Sequence, residues 1–161
     1  MSLTPLPNAK EMRDLLEMLM GRQVEVNPDY EIIKPDEDYA AVAFFNDAMS
    51  TVCAAVTMDF AACAYAGAAL QLIPAAGAED CIKDMVLEDN YIENVYEVLN
   101  VFSSLFNKEG APHVTIGLMY TPGEPLPADE LKMVTSYVER RDSIINVDGY
   151  GKGRMGVMCF N

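Results

Sequence analysis

The strongest constraint in this sequence is an uncharged, alanine-rich stretch, Phe60–Ala78. A segment of this length without charge is expected to be buried, either in a lipid bilayer or against the rest of the protein. It is rich in alanine rather than leucine, it contains Pro74 and Gly77, and acidic rather than basic residues flank it, all of which disfavour a membrane span. We therefore predict a helix over about residues 60–72, capped by Asp59, that packs closely on a neighbouring layer through its small side chains.

The overall composition is that of an acidic protein with enough apolar residues for one core. The length of 161 residues suits a single domain covering residues 1–161, and 51% of the residues are apolar. Eleven basic and 25 acidic side chains give a net charge of −14, which repels phosphate backbones and anionic lipid surfaces. We therefore expect neither nucleic acid nor a membrane as a partner.

The use of cysteine and histidine predicts a reducing, cytoplasmic location and no metal site. The four cysteines include no C-x-x-C pair, and His113 is the only histidine. A secreted domain of this size would carry a denser disulfide framework, and a zinc or iron site would need more ligands at a recognisable spacing. Residues 1–7 show no secretory signal, and we expect them to be disordered or a cloning remnant.

The hydrophobic patterns predict an α+β fold in which strands and helices do not alternate regularly. Helices are expected between Asn8 and Gly21 and over 60–72, 78–85, 89–107 and 128–138; strands are expected at 24–26, from Ile32, and over 39–45, 51–58, 113–120, 143–147 and 155–160. This order favours a mostly antiparallel sheet with two or more long helices packed on it.

The longest predicted helix, about residues 89–107, has one apolar and one polar face. The polar face carries a row of carboxylate, amide and hydroxyl side chains at helical spacing, with one further amide beside it. The row and its neighbour comprise Glu93, Asn94, Glu97, Asn100 and Ser104. One interpretation is the ordinary solvated face of an amphipathic helix. The other is a functional surface, because an amide can hold a water molecule in position for in-line attack on a phosphoryl group.

Within this helix, Glu97-Val98-Leu99-Asn100 resembles the E-x-x-N signature of the chemotaxis CheC/CheX-type phosphatases. The predicted order of elements over about residues 22–160 is similar to theirs as well. The resemblance implies water-mediated dephosphorylation of the aspartyl phosphate of a CheY-like response regulator. Glu97 would match the acid that contacts a lysine of the regulator, and Asn100 would match the amide that positions the water. Magnesium would come from the regulator's own site, so the resemblance implies no cofactor in this chain.

The chain differs from the family pattern around this signature. Glu93 stands where Asp or Ser is usual, and Ser104 stands where a glycine often follows. One copy of the motif is present, as in the CheX branch. We assign Glu93, Asn94 and Ser104 to partner binding beside the catalytic pair.

A second candidate site is the glycine-rich turn from Asp148 to Arg154. Its successive backbone N–H groups, together with Lys152 and Arg154, can cradle an anion. The alternative is a hairpin turn in which the glycines supply positive φ angles, and the P-loop spacing is absent. Tyr150 is expected to be an exposed aromatic residue at this turn.

Three hypotheses follow from these features. The first is a CheC/CheX-like protein acting on a response regulator, and the second is a non-catalytic protein-interaction module of the same fold in signalling or motility. The third is binding of a small anion or nucleotide at Lys152 and Arg154. Open sheet edges additionally predict a homodimer.

Overall fold

The computed structural model describes residues 3–161, and within them six strands form one antiparallel sheet. In chain order the strands are β1 (Val24–Pro28), β2 (Ala41–Asn46), β3 (Val52–Met58), β4 (Thr115–Tyr120), β5 (Glu139–Val147) and β6 (Gly151–Cys159). Their order across the sheet is β1-β5-β6-β3-β2-β4. The hairpins β2–β3 and β5–β6 meet where β3 pairs with β6, so strands distant in sequence form the middle of the sheet. The predicted antiparallel sheet is confirmed.

Helices connect and cover these strands. In chain order they are α1 (Ala9–Met20), α2 (Pro35–Asp38), α3 (Phe60–Leu70), α4 (Ala75–Asp84), α5 (Asp89–Phe102) and α6 (Ala128–Thr135). A 3-10 turn, Ser103–Leu105, continues α5. The predicted α+β class is therefore confirmed, although the regular part of α5 ends before residue 107.

Side-chain caps begin two of the helices that cover the sheet. The Asn8 side chain accepts the N–H of Glu11 at 2.8 Å, and the Glu11 carboxylate accepts the N–H of Asn8 at 3.0 Å. Asp59 likewise accepts the N–H of Ala62 at 2.9 Å. Gly21, with a φ of 66°, ends α1 in the left-handed conformation. The predicted starts of both helices and the end of α1 are confirmed.

One face of the sheet carries α1, α3 and α5 and holds the main hydrophobic core. The closest packing in this layer involves α3. A Cβ atom added at Gly67 of α3 would lie 3.1 Å from the ring of Tyr91 in α5, and one added at Gly153 of β6 would clash with the backbone of Ala62. The alanine-rich helix is thus held between α5 and the sheet with no room for larger side chains, which confirms the predicted close packing.

The opposite face of the sheet is covered by α6 and the segment that follows it, with Phe44 among the buried residues. Arg140 and Asp142 form a nearly buried ion pair on this face through two N–H to carboxylate bonds of 2.8 Å. The Arg140 guanidinium also donates to the carbonyl oxygens of Val134 and Ser136. This network links the end of α6 to β5. Because it includes Arg140 and Asp142, β5 begins at Glu139, earlier than the start at residue 143 that the apolar pattern predicted.

The structure corrects two expectations from the sequence. The strand predicted from Ile32 is wrong, because Ile33 is buried outside any strand and Pro35 begins the short α2. Residues 1 and 2 lie outside the described residues. Thr4, however, is buried, and its N–H and C=O pair with the Asn161 side chain at 3.0 and 3.1 Å, so the segment from Thr4 onward packs on the sheet layer instead of being disordered.

Candidate functional site

The candidate site is the outward face of α5, which is held rigidly from below. Its inward side chains are buried in the main core, with Val95, Val98, Leu99 and Phe102 fully covered. Asp89 in the first turn places a negative charge at the positive end of the helix dipole. A helix anchored over four turns in this way presents its outer side chains at nearly fixed positions.

The four residues of the predicted polar row are all exposed on this face. They are Glu93, Glu97, Asn100 and Ser104. Within residues 3–161, no ion pair and no side-chain hydrogen bond engages the Glu97 carboxylate or the Asn100 amide. Three residues apart on a helix, these two side chains are neighbours, with Cβ atoms about 5–6 Å apart. The structure therefore leaves a carboxylate and an amide side by side and free to meet a partner.

Asn94 does not belong to this exposed row. It is only 6% exposed, and its Nδ2 donates a hydrogen bond of 2.8 Å to the carbonyl oxygen of Gly67 in α3. This corrects the assignment of Asn94 to partner binding. The reason is geometric: Asn94 lies on the flank of α5 that faces α3. Because Gly67 has no Cβ, α3 can approach α5 closely beside Tyr91, and the Gly67 carbonyl oxygen lies within reach of the Asn94 amide.

The glycine-rich turn is a hairpin turn, and its arginine, Arg154, already forms ion pairs within the protein. Gly149 has a φ of 80°, as the hairpin interpretation predicts. The Arg154 guanidinium donates to the Asp29 carboxylate at 2.7 Å and to the carbonyl oxygen of Glu31 at 3.0 Å, and it lies 3.6 Å from the Asp38 carboxylate. Those acidic neighbours hold the pKa of Arg154 above its usual value despite partial burial, which alone would lower it.

These contacts correct the anion-binding prediction for Arg154. Lys152 is exposed, but the nearby surface hollow of about 280 Å³ is lined by the carboxylates of Glu25 and Asp148 rather than by cations. Tyr150 is only partly exposed. Its hydroxyl donates to the carbonyl oxygen of Ile73, and the Arg22 guanidinium lies 4.7 Å from its ring centroid. The turn is thus a structural junction between α3 and the sheet.

Asp59 is a titrating group close to this junction. Its carboxylate accepts the N–H groups of Ala62 and Arg154, at 2.9 and 3.0 Å. Burial raises the pKa of Asp59 above its ordinary range, although the two N–H donors and the Arg154 charge oppose that shift. Its role is to cap α3 and fix β6 against it.

Sequence patterns missed one exposed residue on α5. Tyr96 falls in the predicted apolar stripe, yet it is 42% exposed. Its position relative to Asn100, one helical turn later, was the available signal, because residues four apart share a helix face. Tyr96 and Asn100 therefore border one another on the outer surface.

Residues 3–161 contain neither a helix suited to crossing a membrane nor a cluster suited to binding a metal ion. None of the helices between residues 3 and 161 combines the length and the apolar character that a bilayer span requires. In the same range, no group of three or more histidine, cysteine, aspartate or glutamate side chains is arranged to hold a metal ion.

Comparison with known proteins identifies the fold but no close relative. No protein-family model matches the chain, and no curated protein matches it. Among solved structures, a chain of the FliM–SpeE complex from H. pylori is 10% identical, with a TM-score of 0.57 over 94% of this chain and 80% of that one. FliY from Thermotoga maritima is 12% identical, with a TM-score of 0.55 over 92% of this chain and 82% of that one.

A chemotaxis protein CheX from Desulfovibrio desulfuricans is also among the similar structures. It is 11% identical and has a TM-score of 0.45 over 92% of this chain and 93% of that one. The FliM and FliY middle domains have the CheC-like fold. This chain therefore has the CheC-like α+β fold that was predicted from the order of its elements and the E-x-x-N signature.

Proposed function

We propose that this protein dephosphorylates the aspartyl phosphate of a response regulator, with the outer face of α5 as its catalytic surface. The observation that supports the proposal most strongly is the exposed, unengaged pair of Glu97 and Asn100 on a rigidly packed helix. The fold supports it in a coarser way, because similar structures are proteins of chemotaxis and of the flagellar motor.

In the proposed reaction Asn100 holds the attacking water. The amide oxygen accepts a hydrogen bond from the water, and the amide N–H group can donate to a phosphoryl oxygen. The water oxygen bonds to phosphorus on the side opposite the aspartyl oxygen, and the P–O bond to the aspartyl group breaks. The products are the free aspartate carboxylate and inorganic phosphate, and the proton lost by the water passes to the phosphate. No nucleophile of this chain is required.

Glu97 is proposed to dock the regulator rather than to move a proton. Its free carboxylate would pair with an ammonium group next to the phosphoryl site of the partner, where partial exclusion of water strengthens the pair. Because this chain carries a charge of −14, long-range attraction to an acidic regulator is weak, and short-range pairing must provide the orientation. Magnesium would be bound by the regulator.

The test is the rate of phosphate release from a phosphorylated response regulator with the wild type, Asn100→Ala and Glu97→Ala. Asn100→Ala is expected to reduce the rate about 100-fold, the usual effect of removing one positioned hydrogen-bonding group. Glu97→Ala is expected to raise the regulator concentration needed for half-maximal rate. Glu79→Ala, an exposed carboxylate on α4, is the matched control. Rates for the wild type equal to that of the regulator alone would refute the proposal.

A non-catalytic interaction module is the second candidate. It is favoured by the similarity to a chain of the H. pylori FliM–SpeE complex, a structure in which two proteins associate. In that case a regulator would bind this chain with the same affinity whether Asn100 is present or replaced by alanine, and phosphate release would stay at its spontaneous rate. Titration calorimetry establishes that the regulator binds, and the rate of phosphate release separates the two candidates, because only the catalytic proposal expects the wild type to exceed the spontaneous rate and Asn100→Ala to lose that excess.

A further inference from the structure

The outer face of α5 carries an aromatic side chain, Tyr96, that is not buried in the hydrophobic core. Tyr96 is 42% exposed, whereas the apolar residues of the inward face of α5, such as Val95 and Leu99, are fully buried. At about 100° per residue, Tyr96 lies beside Glu93 and Asn100 and on the flank opposite to Asn94. It therefore borders the proposed catalytic pair on the side that α3 does not cover.

The charges of this face indicate what kind of surface can cover it. Glu93 and Glu97 are exposed, and neither forms an ion pair within residues 3–161. A partner that covers them must bring a cationic group, and one that covers Tyr96 must bring an apolar patch beside it. A regulator with an ammonium group next to its phosphoryl site meets the first requirement. Aromatic side chains with a polar tip are the usual residues for the second kind of contact.

We propose that Tyr96 is a docking residue that sets the affinity of this protein for the phosphorylated response regulator, and this inference rests on the proposed function. Its ring packs on an apolar patch of the regulator beside the phosphoryl group. Tyr96 is a positioning residue, because it touches the partner and not the reacting atoms.

The experiment measures phosphate release as a function of regulator concentration for the wild type, Tyr96→Ala and Tyr96→Phe. Tyr96→Ala is expected to raise KM about tenfold with kcat within a factor of two, as for truncation of a contact at the centre of an interface. Tyr96→Phe, which keeps the ring, is expected to retain the wild-type KM. Tyr137→Ala, which removes a tyrosine that is 95% exposed between α6 and β5, is the matched control and should change neither constant.

Binding of the beryllofluoride-activated regulator separates failure of this inference from failure of the proposed function. A wild type that binds but releases no phosphate would refute the catalytic proposal, and a tenfold weaker Kd for Tyr96→Ala would still support docking. An unchanged KM and Kd for Tyr96→Ala would overturn the docking role alone. A wild type that neither binds nor hydrolyses would overturn both. Circular dichroism of each variant identifies any loss that is due to unfolding.

Discussion

The outer face of α5 and the turn before Arg154 differ in how their charged groups are used. On α5 the Glu97 carboxylate and the Asn100 amide form no ion pair and no side-chain hydrogen bond with the described residues. At the turn, the Arg154 guanidinium contacts two carboxylates and a carbonyl oxygen. A charged group that the fold has paired contributes to stability, whereas one left unpaired on a rigid element is available to a partner. Substitutions in the two regions should therefore affect different properties.

Replacement of Arg154 should have the largest effect on stability. Arg154→Met removes the ion pair with Asp29 and leaves Asp29 and Asp38 close together with partly buried, uncompensated charge. We expect a loss of about 2 kcal/mol in the free energy of unfolding, below the roughly 3–5 kcal/mol for a fully buried pair because Arg154 and Asp29 are partly exposed. Urea denaturation measures it. Glu97→Gln is the matched control on α5 and should change stability by less than about 0.5 kcal/mol. An Arg154→Met protein as stable as the wild type would mean that the contacts of Arg154 with Asp29 and Asp38 do not stabilise the fold.

The two amides of α5 provide a comparison within one helix. Asn94→Ala removes the buried hydrogen bond to Gly67 and leaves that carbonyl oxygen without its partner. It should cost about 1–2 kcal/mol of unfolding free energy. Asn100→Ala should change stability by less than about 0.5 kcal/mol, since its side chain is exposed. Equal losses for the two variants, measured by urea denaturation, would show that Asn100 is also part of the internal packing.

The smallest expected effect is a change in pH dependence at Asp59. Because the folded-state pKa of Asp59 is raised above its ordinary value of 3.8, the folded state holds this proton more tightly than the unfolded state does. Stability from this group is therefore present at low pH and is lost as the pH rises from about 3.8 through the raised pKa.

Asp59→Asn keeps a side-chain oxygen for the cap without the titrating charge. The melting temperature of this variant, relative to the wild type, should increase over the pH range in which wild-type Asp59 ionises. Thermal unfolding followed between pH 3 and pH 7 tests this sign. A relative melting temperature that falls with rising pH would contradict the assignment of a raised pKa.

The sequence predicted those parts of the fold that depend on local patterns. The caps at Asn8 and Asp59, the close packing of the alanine-rich helix and the strands of the β2–β3 and β5–β6 hairpins follow from residues close together in the chain. The pairing of β3 with β6 could not be located in this way, since it joins segments about 100 residues apart. Ile32 was misassigned because a short apolar run before a proline is typical of both a strand and a buried loop.

The same distinction applies to the candidate site. Glu97 and Asn100 were found because their exposure follows from helical spacing. The burial of Asn94 could not be predicted, because it depends on the close approach of another helix, whose Gly67 carbonyl oxygen accepts a hydrogen bond from the amide. The role of Arg154 was missed for a similar reason, since its main partner, Asp29, lies 125 positions earlier in the chain.

The most direct test of the central claim is to locate the surface that meets an activated regulator. Amide chemical-shift changes in 15N-labelled protein can be mapped as a beryllofluoride-activated response regulator is added. We expect the largest changes on α5 between Glu93 and Ser104, and we expect Glu97→Ala to weaken them. Changes confined to the turn at residues 148–154, or no changes at all, would contradict it.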